Sequence, residues 1–257
     1  MKGCVLKDIL GKRFNSQRFG VFEVIGYLNN TSVTVKFVSS GYITTTSLDL
    51  VRKGRVIDKM SPSVCGVGVV GQKRVSNNGV KECEYNIWHN LLNRCYSEDY
   101  HSRCSTYREC EVSDNFNYYP YFKEWCNKQV GFNATDASGK RFALDKDILV
   151  KGNKIYSENT CCFVPQEING LLINTMYKNR EKTIGVYTNN DVEGYYVSCK
   201  NDRGILLYEM FTTPEEAFLV YKKAKESRIK DVANKWKDQI DPRVYEALMN
   251  YQVEITD

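Results

Sequence analysis

Near the centre of the chain lies Phe142-Ala143-Leu144-Asp145-Lys146-Asp147-Ile148-Leu149, an apolar, strand-like run that carboxylates interrupt. A polar loop follows it, and residues 160–164 (Thr-Cys-Cys-Phe-Val) form a second strand-like run. Residues 165–172 then predict a helix, because Pro165 is harmless in a first turn, where its missing N–H has no helical partner. The sequence therefore predicts strand, loop, strand and helix within residues 142–172.

This order of elements can build a metal site for phosphodiester hydrolysis. Such a site needs a strand carboxylate, a side chain that holds the loop, and one further ligand returned by the helix. Asp145 is the candidate strand ligand, Asn159 the candidate loop brace, and Asn169 the candidate helix ligand. Because the ligand atoms are oxygens, the expected cofactor is Mg²⁺ or Mn²⁺.

Two helices are predicted upstream of this stretch. Residues 84–95 predict the first, with Tyr85, Trp88, Leu92 and Cys95 at helical spacing on a core face. Apolar residues at steps of three and four between 116 and 126 predict the second, broken near Pro120. A turn at Asn77-Asn78-Gly79 is expected before the first helix.

Ordered motifs in residues 71–175 resemble the HNH-type endonucleases of bacteriophages, a family built on the ββα-metal (His-Me) finger. The motifs are Trp88 with Asn93-Arg94-Cys95-Tyr96, residues 106–112, Phe116, Phe122, Trp125, residues 144–148, residues 156–161 and residues 164–169. The resemblance implies a metal-dependent DNA endonuclease. It assigns Asp145 to the metal-binding Asp, Asn159 to the loop-holding Asn and Asn169 to the last metal ligand.

One position departs from the family pattern. Lys146 stands where the family carries the general-base His, and the only histidines, His89 and His101, lie far upstream. Lysine is a poor base at neutral pH, and the adjacent Asp145 and Asp147 raise its pKa further. The base is therefore atypical: cleavage is slow with Lys146 at the base position, Asp147 or a distant His takes the role, or the chain keeps the fold without cleavage.

Charge is unevenly distributed along the chain. Residues 1–75 contain twelve Lys and Arg against four Asp and Glu, a net charge of +8, whereas the rest sums to −3. Short β-rich runs joined by an Asn-Asn turn predict a basic, small β-barrel-like domain over residues 1–62. A basic surface indicates a polyanionic partner, DNA or RNA. The candidate nucleic-acid contacts here are Arg52, Lys53, Arg55, Lys73 and Arg74.

The last segment predicts three strands followed by a helix that begins after Thr213 and runs to about Trp236, with Ala217, Val220, Tyr221 and Ala224 on its packing face. Residues 184–236 resemble, in degenerate form, the Apetala2-type DNA-binding domain, in which a sheet enters the major groove. The resemblance implies DNA contacts from the sheet. The candidates are Tyr187, Tyr196, Lys200 and Arg203.

The predicted fold class is α+β in three parts: the domain of residues 1–62, an HNH-like ββα-metal module over 71–175, and a sheet-plus-helix DNA-binding domain over 183–257. No membrane-spanning run and no secretory signal are evident, so we expect a cytoplasmic protein. Most of the ten cysteines are expected to be buried thiols. A structural zinc site is the alternative for four of them: Cys95, Cys104, Cys110 and Cys126.

The leading functional prediction is a phage-type HNH endonuclease that acts on double-stranded DNA. One rival is a catalytically inactive DNA-binding protein that retains the nuclease fold. The other is an adaptor that binds a host protein.

Overall fold

The computed structural model describes residues 9–72, 75–172, 183–189, 192–200 and 206–255. The chain divides into two compact units, an N-terminal unit, Met1–Lys123, and a C-terminal unit, Glu124–Asp257. Helices and short sheets occur in both, so the α+β class is confirmed. None of the described helices has the length and apolar character that crossing a bilayer requires.

The N-terminal unit begins with a four-stranded antiparallel sheet in the order β1-β2-β3-β4. Its strands are β1 (Arg13–Ser16), β2 (Gly20–Asn29), β3 (Ser32–Phe37) and β4 (Ile43–Thr46). Alternate residues of β2 and β3 are fully buried and pair across the sheet, as Phe22 does with Phe37. The predicted short strands are confirmed, and the predicted Asn-Asn turn, Asn29-Asn30, lies where β2 ends before β3. The strand β1 was not predicted, because Phe14 is its only apolar residue.

The sheet is followed by α1 (Leu48–Arg52), which Ser47 caps by accepting a hydrogen bond from the Leu50 N–H. A small hairpin, β5 (Ser76–Asn77) with β6 (Val80–Lys81), comes next. The intervening Asn78 and Gly79 both have positive φ, 48° and 81°, as a tight primed turn requires. The predicted turn at this Asn-Gly pair is therefore confirmed.

Helices form the rest of the N-terminal unit. They are α2 (Cys83–Tyr96), α3 (Glu98–Arg103), two 3₁₀ turns at Ser105–Tyr107 and Asp114–Asn117, the short strand β7 (Glu111–Val112), and α4 (Tyr119–Lys128), which crosses the unit boundary. The predicted core face of α2 is confirmed, since Tyr85, Trp88, Leu92 and Cys95 are buried. The predicted break near Pro120 is confirmed at Tyr118, which is extended between the 3₁₀ turn Asp114–Asn117 and α4, and Pro120 is the second residue of α4, where a proline is tolerated.

The C-terminal unit begins with short elements. They are β8 (Ala143–Asp145), β9 (Ile155–Tyr156), β10 (Cys162–Val164) and α5 (Gln166–Leu172). An antiparallel sheet follows in the order β11-β12-β13, formed by β11 (Val186–Asn189), β12 (Val192–Lys200) and β13 (Leu206–Phe211). Two helices end the unit, α6 (Pro214–Trp236) and α7 (Pro242–Met249).

The long helix α6 begins and ends where the sequence predicts. Thr213 caps it by accepting a hydrogen bond from the Glu216 N–H, and Pro214 opens its first turn. Its packing face is wider than predicted, because Phe218, Ile229, Val232 and Trp236 are buried in addition to Ala217 and Tyr221. The helix packs against the three-stranded sheet and against α5, so it supports both parts of this unit.

Candidate active site

The predicted strand, loop, strand and helix are present in the C-terminal unit. The strands β8 and β10 pair antiparallel, with Asp145 opposite Cys162 and Ala143 opposite Val164. Only Pro165 separates β10 from α5, and this helix contacts β8. Directly opposed residues of an antiparallel pair share one face of the sheet. Asp145 therefore lies at the loop end of the hairpin, whereas the helix that contains Asn169 begins beside the other end, after Val164.

Asp145 lies at the end of β8 and directs the chain out of the strand. Its Oδ1 accepts hydrogen bonds from the backbone N–H groups of Asp147, at 2.9 Å, and Ile148, at 3.0 Å. Burial, reinforced by the nearby Asp147 charge, raises the pKa of the Asp145 carboxyl to about 6. A carboxylate whose negative charge is poorly solvated in this way favours a nearby cation.

Lys146 is buried, with 11% of its side chain exposed. Its Nζ donates a hydrogen bond to the backbone oxygen of Asn153 at 2.9 Å and forms an ion pair with Asp147 Oδ2 at 3.1 Å. The ammonium also lies 5.9 Å from the centre of the Tyr156 ring. All three interactions hold the ammonium group inside the loop, so this side chain is suited to support the loop.

Asn153 braces the loop between the two strands. Its Nδ2 donates to the carbonyl oxygens of Lys146 and Ile155, both at 2.7 Å, and its Oδ1 accepts from the Ile155 N–H at 3.2 Å. Asn159, predicted for this role, is exposed, and no described residue accepts a hydrogen bond from its side chain. The bracing position is therefore six residues earlier than predicted. The sequence signal for Asn153 was its place in the polar loop Lys151-Gly152-Asn153-Lys154.

Asn169 is half-buried on α5, next to the fully buried Ile168. Two long-range contacts fix this helix. Glu167 Oε2 accepts hydrogen bonds from Lys235 Nζ at 2.7 Å and Trp236 Nε1 at 2.8 Å. At the other end, Lys225 Nζ donates to the carbonyl oxygen of Leu171 at 2.7 Å. Asn169 is therefore carried by a helix that is held at both ends.

The donor set at the hairpin suits a hard divalent cation. Asp145, Asp147 and Asn169 offer carboxylate and amide oxygens, the ligand type that Mg²⁺ prefers, and Mg²⁺ commonly keeps several waters beside one or two carboxylates. Within the described ranges, no three His, Cys, Asp or Glu side chains are grouped as a metal site would require, at the hairpin or away from it. The alternative zinc ligands form no such group either. Of these cysteines, Cys95, Cys110 and Cys126 are buried and Cys104 is half-buried.

The two cysteines of the hairpin are buried thiols. Burial raises the pKa of Cys161 to about 12, and burial together with the Asp145 charge raises the pKa of Cys162 further still. A thiol that cannot ionise is a poor nucleophile and a poor metal ligand. These cysteines therefore fill the hairpin core.

The two histidines belong to the N-terminal unit. His101 is buried, and its Nε2 lies 2.9 Å from the backbone oxygen of Arg94 at the end of α2. The His89 ring packs against Tyr85, with 6.0 Å between ring centres. His101 is thus occupied in closing a helix end.

The predicted nucleic-acid contacts fall in three groups. Arg52, Lys53 and Arg55 are exposed at the end of α1 and just after it. Tyr196 is half-buried on β12, opposite Tyr187, and the two rings stack at 6.5 Å. Lys200 is the last residue of β12. Three candidates, Lys73, Arg74 and Arg203, lie outside the described residues.

No family model, no curated protein and no solved structure matches this chain.

Proposed function

We propose that the chain is a metal-dependent DNA endonuclease whose active site is the β8–β10 hairpin and α5. The observation that carries the proposal is the half-buried carboxylate of Asp145 at the end of β8, a strand that contacts the helix bearing Asn169. Asp145 and Asn169 would hold Mg²⁺ or Mn²⁺. The cation, when bound, stabilises the charge that develops on the phosphate and on the leaving oxygen.

The remaining residues of the hairpin divide into two roles. Lys146 and Asn153 hold the loop in shape, and neither is needed to transfer a proton. Asp147 is the exposed carboxylate of this segment, with 48% of its side chain accessible. We assign to Asp147 the acceptance of a proton from the attacking water, the role that the resemblance gives to a His at position 146.

The proposal is tested with supercoiled plasmid incubated with Mg²⁺ or Mn²⁺. Asp145→Asn and Asn169→Ala should abolish nicking, and Asp147→Asn should slow it by about 10²-fold or more, the usual contribution of a positioned base. Asp238→Asn is the matched control, because it removes one charge from an exposed position of the same unit. If the wild type and all variants are equally inert but bind DNA, the enzyme proposal fails.

The buried Lys146 supports a second candidate function. A lysine built into the loop at the position of the family's base is also what a DNA-binding protein without cleavage would carry. This candidate predicts salt-sensitive DNA binding that Asp145→Asn leaves unchanged. A third candidate, an adaptor for a host protein, predicts little affinity for DNA at any salt concentration.

A further inference from the structure

We infer that the N-terminal unit carries a separate nucleic-acid contact, an arginine edge formed by Arg18, Arg52 and Arg55. This edge binds the phosphate backbone without reading the base sequence. The inference is independent of cleavage at the hairpin.

Hydrogen bonds to the carbonyl oxygens of residues 53, 54 and 56 bring these arginines from two parts of the chain to one edge. The Gln17 N–H donates to the Gly54 carbonyl oxygen at 2.8 Å, and Gln17 Nε2 donates to the Lys53 carbonyl oxygen at 3.0 Å. Ser16 Oγ donates to the Val56 carbonyl oxygen at 2.8 Å. Residues 53–56 therefore run along the end of β1, and Arg18 lies two residues beyond that end.

Gly54 fixes this arrangement. Its φ is +61°, a conformation that L side chains rarely adopt, and a Cβ atom there would lie 2.5 Å from the Asn15 carbonyl oxygen. The segment can approach β1 this closely only because position 54 has no side chain. The spacing between Arg52 and Arg55 along the edge is consequently set by the fold.

The three arginines of the edge also differ from neighbouring basic side chains in whether a carboxylate forms an ion pair with them. Arg13 pairs with Glu23 at 3.4 Å, and Lys53 pairs with Asp49 at 3.0 Å. Arg18, Arg52 and Arg55 are exposed, and no carboxylate among residues 9–72 and 75–123 forms an ion pair with them. Arg18 instead lies over the Phe19 ring, 5.7 Å from its centre. Positive charge without local compensation is therefore concentrated at this edge.

Nucleic acid is the partner that fits best. Guanidinium groups bind phosphate oxygens through two parallel hydrogen bonds, and a backbone offers phosphates at a regular repeat. Residues 1–75 carry a net charge of +8, which strengthens the attraction to a polyanion. Contacts to phosphate oxygens carry no information on base sequence, so the contact is expected to be independent of sequence.

The test compares two double variants of the full chain that lose the same charge. Arg52→Gln with Arg55→Gln removes two arginines of the edge, and Arg13→Gln with Lys36→Gln removes two exposed cations that flank Glu23 on the sheet. Binding to two fluorescently labelled duplexes of unrelated sequence is measured between 50 and 200 mM salt, about the range over which phosphate contacts change affinity strongly. EDTA is present throughout, so cleavage cannot affect the result.

In the edge variant, the slope of log affinity against log salt should be shallower by about 1.8, because two phosphate contacts are lost and each contributes about 0.9. The loss should be the same for both duplexes, and the sheet variant should keep the wild-type slope. Arg18→Gln alone should lose about half as much. Equal losses in the two double variants, or an unchanged slope in the edge variant, would overturn the inference. Urea unfolding of each variant shows whether the fold is retained.

Discussion

Lys146 and Asn153 hold each other by reciprocal hydrogen bonds. Lys146 Nζ donates to the backbone oxygen of Asn153 at 2.9 Å, and Asn153 Nδ2 donates to the backbone oxygen of Lys146 at 2.7 Å. Each side chain thus satisfies the other residue's carbonyl across the loop that joins the hairpin strands. Lys146 is therefore part of the loop's support.

Asn153→Ala is predicted to destabilise the protein by about 1–3 kcal/mol, because two backbone carbonyls lose their donor. Asn159→Ala is the matched control and should change the free energy of unfolding by less than about 0.5 kcal/mol, as exposed positions usually do. Urea unfolding at pH 7 measures both. Equal effects of the two substitutions would show that the loop is not braced by Asn153.

Lys146→Met is predicted to lower stability while cleavage per folded molecule is retained. The variant removes the hydrogen bond to Asn153 and the ion pair with Asp147, but it removes no group that we assign to the chemistry. Stability is measured by urea unfolding, and nicking rates are compared at a temperature where both proteins are folded. A folded Lys146→Met protein that has lost cleavage would make Lys146 the catalytic base.

Asp145→Asn is predicted to stabilise the protein at pH 8 and to lose this advantage near pH 4. The pKa of Asp145 is about 6 in the folded protein, against an ordinary aspartate value of 3.8, so the folded state binds the proton more tightly than the unfolded chain does. Wild-type stability therefore falls as pH rises between about 4 and 6, and the destabilisation by the Asp145 charge is fully present above pH 6. Asparagine keeps Oδ1 as acceptor for the Asp147 and Ile148 N–H groups without the charge.

Urea midpoints of wild type and Asp145→Asn at pH 4, 6 and 8, without divalent metal, measure this difference. Asp238→Asn, which changes an exposed residue, should show no such trend. An Asp145→Asn protein that is less stable than wild type at pH 8 would mean that the carboxylate is retained for the fold and not for a bound cation.

Two glycines near the hairpin are predicted to respond oppositely to alanine. A Cβ atom at Gly170 in α5 meets nothing within 4 Å, so Gly170→Ala should stabilise the helix by about 0.5–1 kcal/mol. At Gly131, φ is +86° and a Cβ atom would lie 2.9 Å from the Phe163 carbonyl oxygen, so Gly131→Ala should destabilise by about 1–3 kcal/mol. Thermal or urea unfolding of both variants measures these changes in stability. Destabilisation by Gly170→Ala would contradict the open position of that residue.

Local sequence signals predicted the elements but not the contacts within the loop. Thr213 and Pro214 mark the start of α6, and Pro165 marks the start of α5, because capping and proline geometry act within one turn. Asn153 and Asn159 are indistinguishable by residue type, and only the path of the loop decides which one reaches two carbonyls. The bracing residue therefore could not be chosen from the sequence.

The burial of Lys146 and the ion pair of Lys53 could not be predicted from the sequence for a similar reason. Lysine is seldom buried, so nothing in the sequence indicates that Lys146 lies inside the loop with Asn153 and Asp147 around it. Lys53 and Arg55 also belong to one basic cluster in the sequence. Only the fold shows that Lys53 pairs with Asp49 one helical turn away, while Arg55 remains exposed beside β1.

Whether the β8–β10 hairpin holds a metal ion is tested most directly by the binding of Mn²⁺ to the full chain, which electron paramagnetic resonance measures at pH 7.5. The wild type and Asp238→Asn are predicted to bind one Mn²⁺ with the same affinity, Asn169→Ala to bind it more weakly, and Asp145→Asn to lose it. Retention of wild-type Mn²⁺ binding by Asp145→Asn would contradict the assignment of the β8–β10 hairpin as a metal-dependent active site.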